Sequence, residues 1–172
     1  MSRFQNIILI GMPGSGKTAT ANELAKHGYQ VYDTDSIFVD AYRMSVAEFF
    51  DLHGEAEFRR AETEIVASLK NVLGAVISTG GGVVLDAQNI DRLKKIGKVV
   101  FLECPVKELE HRVGNDKARP LARDGGSDYI ARTWENRKDL YYKDADMIID
   151  SGNLTSIQIA DKIIEGYGIK LG

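Results

Sequence analysis

Two short stretches hold the residue types that handle phosphate. GMPGSGKT, residues 11–18, fits the pattern G-x-x-x-x-G-K-[ST], with an apolar run before it and helical sequence after it. Its glycines let the backbone curl so that N–H groups point at phosphate oxygens, and the helix N-terminus adds a favourable dipole. Lys17 reaches the outer phosphates, and the Thr18 hydroxyl is the expected ligand of the magnesium ion that accompanies a nucleotide. The second stretch is VYDTDS, residues 31–36, which places Asp33 and Asp35 at the end of a predicted strand. Open parallel sheets bind ligands at the carboxyl ends of their strands. In extended chain, residues two apart point the same way, so both carboxylates would face one cleft. There one carboxylate can hold a metal-bound water while another takes the proton of an attacking hydroxyl. By its letters alone, D-x-D fits equally well an Asp35 that caps the next helix and an Asp33 that stands in solvent.

Arginines extend the pattern toward an acidic acceptor. FRRAE (58–62) carries Arg59 off its helix's apolar face, with Glu62 three residues on, where it can brace the guanidinium. Arg137 in NRKDLYY is a second candidate. Guanidinium groups grip carboxylates bidentately, although each arginine taken singly also reads as a solvated surface residue. A GTPase is set aside: DLHG (51–54) matches D-x-x-G only within helical sequence, and NDKA (115–118) is not N-K-x-D. A motor or helicase would need an acidic residue at a core strand end to orient water. Only Glu103 after VVFL offers one, and it reads more simply as a solvated strand end.

These residues must be positioned by one core. The chain has 172 residues, 44% hydrophobic and 27% charged, which is enough for one domain and too little for two ordinary ones. A net charge of -3 and a pI near 5.7 exert no global pull on nucleic acid or anionic membrane. The single cysteine, Cys104, cannot form an internal disulfide, and His27, His53 and His111 share no metal-site spacing with it. MSRFQ runs straight into strand-like sequence without a signal peptide or spanning helix, so the cytoplasm is expected.

NIILIG (6–11), QVYDTD (30–35), AVIST (75–79), KVVFLE (98–103) and DMIID (146–150) read as five strands. Helices are expected over 17–28 with Gly28 ending it, over 45–54 from a Ser45–Glu48 capping box, and over 55–71 with Phe58, Ala61, Ile65 and Leu69 on one face. Further helices follow Asp86, Pro105 and Leu154. The alternation implies an α/β sandwich on a parallel sheet. GNDKARPLARDGGSD (114–128), polar and glycine-rich, reads as a flap.

GMPGSGKT, DTD, GEAEFRRAE, TGGG, ARPL and R-x-x-LY (137–141) occur in the order and approximate spacing of the shikimate kinases, and the chain resembles that family over essentially its whole length. The resemblance implies a three-layer αβα P-loop kinase fold with a five-stranded parallel sheet. It implies one domain over 1–172, with a mobile lid at about 113–127 and an acceptor-binding helical region at about 34–62. It implies ATP-dependent phosphorylation of the 3-hydroxyl of shikimate, on the route to chorismate and the aromatic amino acids, with magnesium as cofactor. Partners implied are shikimate and ATP, with no nucleic acid and no membrane, and a monomer is expected. Carried over, Asp35 holds the acceptor and acts as base, and Asp33 and Thr18 serve the metal. Arg59, Arg137, Gly80, Gly81 and Gly82 bind shikimate in a site shaped by Phe58 and Glu62. Gly11, Met12, Pro13, Gly14, Ser15, Gly16, Lys17, Thr18 and Ala19 form the nucleotide loop, Arg112 lies against the adenine, and Arg119 swings in with the lid to join Lys17 on the transferring phosphoryl group. Many family members read RPLL where this chain has RPLA at Ala122.

Overall fold

The five apolar runs form one parallel sheet in the computed structural model, which describes residues 5–114 and 128–168. The strands are β1 (Asn6–Ile10), β2 (Gln30–Asp33), β3 (Ala75–Ser78), β4 (Gly97–Glu103) and β5 (Met147–Asp150), in the order β2-β3-β1-β4-β5. Every residue of β1 and β3 is buried, which is why apolar residues follow one another over 7–10 and 75–77 rather than alternating with polar ones. The register sets Asp33 beside Ser78 and Ser78 beside Leu9, so the carboxyl ends of β2, β3 and β1 finish level along one edge.

Helices α1 (Lys17–Lys26), α2 (Thr34–Tyr42), α3 (Val46–Ser68), α4 (Ala87–Ile96), α5 (Val106–Gly114), α6 (Asp128–Asp144) and α7 (Ser156–Gly166) cover the sheet. The pleat of β1 divides them. Ile7 and Leu9 pack with Ala21 and Leu24 of α1 and with Ile159 and Ile163 of α7. Ile8 and Ile10 pack on the other face with Val66 of α3, Ile90 and Leu93 of α4, Leu109 of α5 and Tyr141 of α6. The chain therefore leaves β1 toward one face, into α1, and leaves β3 toward the other, into α4. A crevice opens between two adjacent strands that diverge in this way, and the site described below occupies it.

A third, smaller core joins Phe38 of α2 to Phe49, Phe58, Ala61 and Ile65 of α3, with the Phe38 ring 5.0 Å from Phe49 and 5.2 Å from Phe58. The expected face of α3 is indeed the buried one, and its Ser45–Glu48 capping box is formed in both directions. The two helices expected over 45–54 and 55–71 do form, joined across a kink within α3. Gly54 at φ 81° and ψ 174° breaks it in a conformation that L side chains adopt only with strain. The element ends at Ser68, followed by a 3-10 turn over Leu69–Asn71.

Helix α6 is not among the elements expected from periodicity. Its buried positions Ile130, Thr133 and Tyr141 share one face with the part-buried Trp134, but the polar Thr133 and Arg137 interrupt the apolar pattern there. Helix α2 is expected only as the helix an Asp35 cap would start and as part of the helical region at about 34–62 that the resemblance implies. The lid expected at about 113–127 lies outside the described residues apart from Val113 and Gly114, and Arg119 lies outside them with it.

Candidate active site

The phosphate-binding loop joins β1 to α1 as its pattern requires. Gly16, at φ 97°, sits at the N-cap of α1 in a left-handed conformation that frees the following amides to face outward. Lys17 is buried at 8% exposure, and its ammonium donates to the carbonyls of Gly11 and Met12 at 2.8 and 2.9 Å. Pro13, Gly14, Gly16, Lys17, Thr18 and Ala19 line a cavity of about 840 Å³ that reaches from this loop to α3. Met12 instead turns into the main core at 1% exposure. Arg112 stands outside the cavity lining, where its guanidinium donates to the carbonyls of Gly14 and Ser151 at 3.1 and 3.3 Å and ties the loop to the end of β5.

Asp33 and Asp35 both line that cavity, but not because they share an extended strand. The strand ends at Asp33, and α2 begins at Thr34. Asp33 is the cap: one oxygen accepts from the amides of Asp35 and Ser36, each at 3.0 Å, and the other accepts from the Thr18 hydroxyl at 3.2 Å. Asp35 thus occupies the first turn of α2, where the helix dipole favours its negative charge. The alternative of Asp35 as cap and Asp33 as bystander inverts what the structure shows. Thr34 between them, without a role in the sequence reading, accepts the buried Gly80 amide on its hydroxyl at 3.0 Å. That hydrogen bond takes the Gly80 N–H away from any ligand and fixes β2 to the glycine turn.

The glycine turn is where the remaining candidates meet. A Cβ on Gly80 would lie 3.1 Å from an Asp35 carboxylate oxygen and 3.2 Å from one of Glu62. On Gly81 it would lie 2.8 Å from Pro13 and 3.4 Å from the Arg137 guanidinium, and on Gly82 it would overlap the Arg59 guanidinium at 2.3 Å. Three adjacent glycines thus leave room for four charged side chains and the phosphate loop to approach one turn. Glu62, 5% exposed, grips Arg59 at 3.0 Å. Burial lifts the Glu62 carboxyl above its ordinary pKa despite the opposing pull of Arg59. Arg59 lies over the Phe58 ring at 5.2 Å, and its Nε hydrogen has no acceptor among the described residues. Val39, Val46, Phe50 and Phe58 add an apolar wall. The sequence reading missed Val39, Val46 and Phe50, which carry no signal beyond ordinary helix amphipathicity.

The arrangement presents two cations and an apolar wall facing a carboxylate, within one cavity that also holds a phosphate loop. Comparison with known proteins decides what acts there. The shikimate kinase family model matches residues 13–167. The chain belongs to the shikimate kinase family. A shikimate kinase of Clostridium botulinum (strain Loch Maree / Type A3) is 40% identical over 95% of this chain and 96% of its own. One of Caldicellulosiruptor bescii is 35% identical over 93% and 94%. The shikimate kinase of Acinetobacter baumannii, solved in complex with shikimate, superposes with a TM-score of 0.90 at 30% identity over 98% of this chain and 96% of that one. Shikimate kinase activity, a phosphotransferase reaction of the shikimate pathway with ATP as donor, is therefore the activity of this chain. Among the described residues, no helix is long and apolar enough to cross a membrane.

Proposed function

We propose that the single domain over 1–172 phosphorylates the 3-hydroxyl of shikimate in this cavity, with Asp35 as base and the Gly80–Gly82 turn as the floor of the acceptor site. The observation that carries the reading is the convergence of Asp35, Glu62, Arg59 and Arg137 on that turn. Arg59 and Arg137 hold the acceptor carboxylate, and Glu62 fixes Arg59 in place. Phe58 shapes the wall, and Gly81 and Gly82 let the ring approach the backbone. Asp35 orients the attacking hydroxyl and takes its proton, while Lys17 and the lid residue Arg119 neutralise charge on the transferring phosphoryl group. Arg112 stands on the adenine side. A lid that closes keeps water from competing as acceptor.

Thr18 and Asp33 fit magnesium. A hydroxyl and a carboxylate already lie 3.2 Å apart beside the phosphate loop, and no group of three or more acidic, histidine or cysteine side chains among the described residues makes a closed metal cage. Such an ion, drawing its other ligands from phosphate and water, would offset phosphate charge. The enzyme acts as a cytoplasmic monomer. Replacing Asp35 with Asn keeps the shape and removes the base. Turnover should fall by about 10²–10⁴-fold, with ATP binding retained by calorimetry. Unchanged turnover would remove Asp35 from that role.

A further inference from the structure

Tyr141 is fully buried, yet it belongs to the same helix face as Arg137, one turn away on α6. Its ring stacks on Phe101 of β4, with centroids 5.0 Å apart and planes 15° from parallel, so the hydroxyl is aimed by the sheet itself. That hydroxyl donates to the carbonyl oxygen of Gly81. Arg137 approaches the same glycine, its guanidinium 3.4 Å from where a Cβ on Gly81 would lie, and its charge acts on the Tyr141 hydroxyl. Two neighbours on one face of α6 therefore close on the middle of the glycine turn, Tyr141 through the Gly81 carbonyl and Arg137 through its guanidinium.

The consequence for the turn follows from peptide geometry. No cis peptide occurs among the described residues, and in a trans peptide the C=O and the next N–H point in opposite directions. With the Gly81 carbonyl held toward Tyr141 on the core side, the Gly82 N–H is sent the other way. Gly82 is also the residue whose Cβ position the Arg59 guanidinium occupies. Fixing this one peptide thus fixes the seat of Arg59 as well as that of Arg137. Burial pushes the Tyr141 pKa up to about 12, so the hydroxyl keeps its proton and stays a donor throughout the neutral range.

We propose that Tyr141 is a positioning residue for the acceptor, holding the Gly81–Gly82 peptide and the Arg137 guanidinium in the arrangement that receives the shikimate carboxylate. The proposal rests on the assignment of Arg137 to that carboxylate. It is tested by steady-state kinetics on the full chain carrying Tyr141→Phe, Arg137→Lys, or both, with unfolding temperatures measured alongside. The phenylalanine keeps the stack on Phe101 and removes only the hydroxyl.

The KM for shikimate should rise about five- to tenfold in Tyr141→Phe, as expected for one lost hydrogen bond. The KM for ATP and kcat should stay within about twofold. The double variant should be less impaired than the product of the two single effects, because both act on one contact. A shikimate KM unchanged in Tyr141→Phe but raised in Arg137→Lys overturns the proposal and leaves the carboxylate assignment standing. A parallel rise in both KM values, or a lower unfolding temperature with neither KM moved, also overturns it. An unchanged shikimate KM in Arg137→Lys overturns the assignment itself.

Discussion

Glu62 concentrates the conflict between stability and function. Its carboxylate is buried among Arg59, Asp35 and Arg137, and removal from water outweighs the attraction of the arginines, so its pKa is raised. A native pKa above the unfolded value of about 4.3 means that the folded state holds the proton more tightly. Stability therefore falls as pH rises from the unfolded pKa through the raised native one, and the loss is complete above it. Glu62→Gln lacks that titration. The unfolding temperature of the parent relative to Glu62→Gln should be highest below this window and decline across it. The variant should also bind shikimate more weakly, since Arg59 loses its ionic partner. A parent-minus-variant difference that is flat or rises with pH would contradict the sign. A residue that lowers stability when charged, yet holds an arginine against the glycine turn, is there for the site.

At the scale of elements, the junction between β2 and α2 does two jobs through one side chain. Asp33 caps α2 through the amides of Asp35 and Ser36, and reaches Thr18 across the crevice with its other oxygen. The two roles can be separated. Asp33→Asn keeps a good capping oxygen and loses the charge, so stability should change little while the magnesium concentration for half-maximal activity rises several-fold, by roughly a factor of three to ten. Asp33→Ala removes the cap as well and should cost about 1 kcal/mol by chemical denaturation. Equal destabilisation by both would refute the capping role, and an unchanged magnesium requirement in both would refute the metal role. This junction also shows how far sequence patterns reach. VYDTDS pointed to two carboxylates facing one cavity, as both do, but period-two logic placed them in one strand, whereas the chain turns helical at Thr34. They face one cavity because a cap and a first helical turn lie at a strand end, not because of strand alternation.

Across the whole molecule, what the sequence made legible is what depends on local or periodic signals. Strands β1 and β3 carry consecutive apolar residues over 7–10 and 75–77 because both faces are covered, and the phosphate loop is a contiguous pattern between a strand and a helix. Helix α6 escaped because the polar Thr133 and Arg137 interrupt the face that carries Ile130, Trp134 and Tyr141, and its Tyr141 hydroxyl donates to a carbonyl 60 residues earlier in the chain. The Thr34 clasp on Gly80 was equally out of reach, since it requires β2 and β3 to finish level. The sheet order β2-β3-β1-β4-β5 brings these distant pieces together where β1 and β3 diverge, so the phosphate loop and the Asp35–Arg59–Arg137 group line one crevice, which the proposed function divides between donor and acceptor. The central claim is this division of one cavity between two ligands. It is tested most directly by ADP release from the parent and from Arg59→Lys, titrated separately with shikimate and with ATP. Loss of a bidentate charge-assisted contact, worth roughly 1.5–3 kcal/mol, should raise the shikimate KM about 10- to 150-fold and leave the ATP KM unchanged. Equal loss of affinity for both ligands, or ADP release by the parent with a linear polyol acid such as gluconate and none with shikimate, would contradict it.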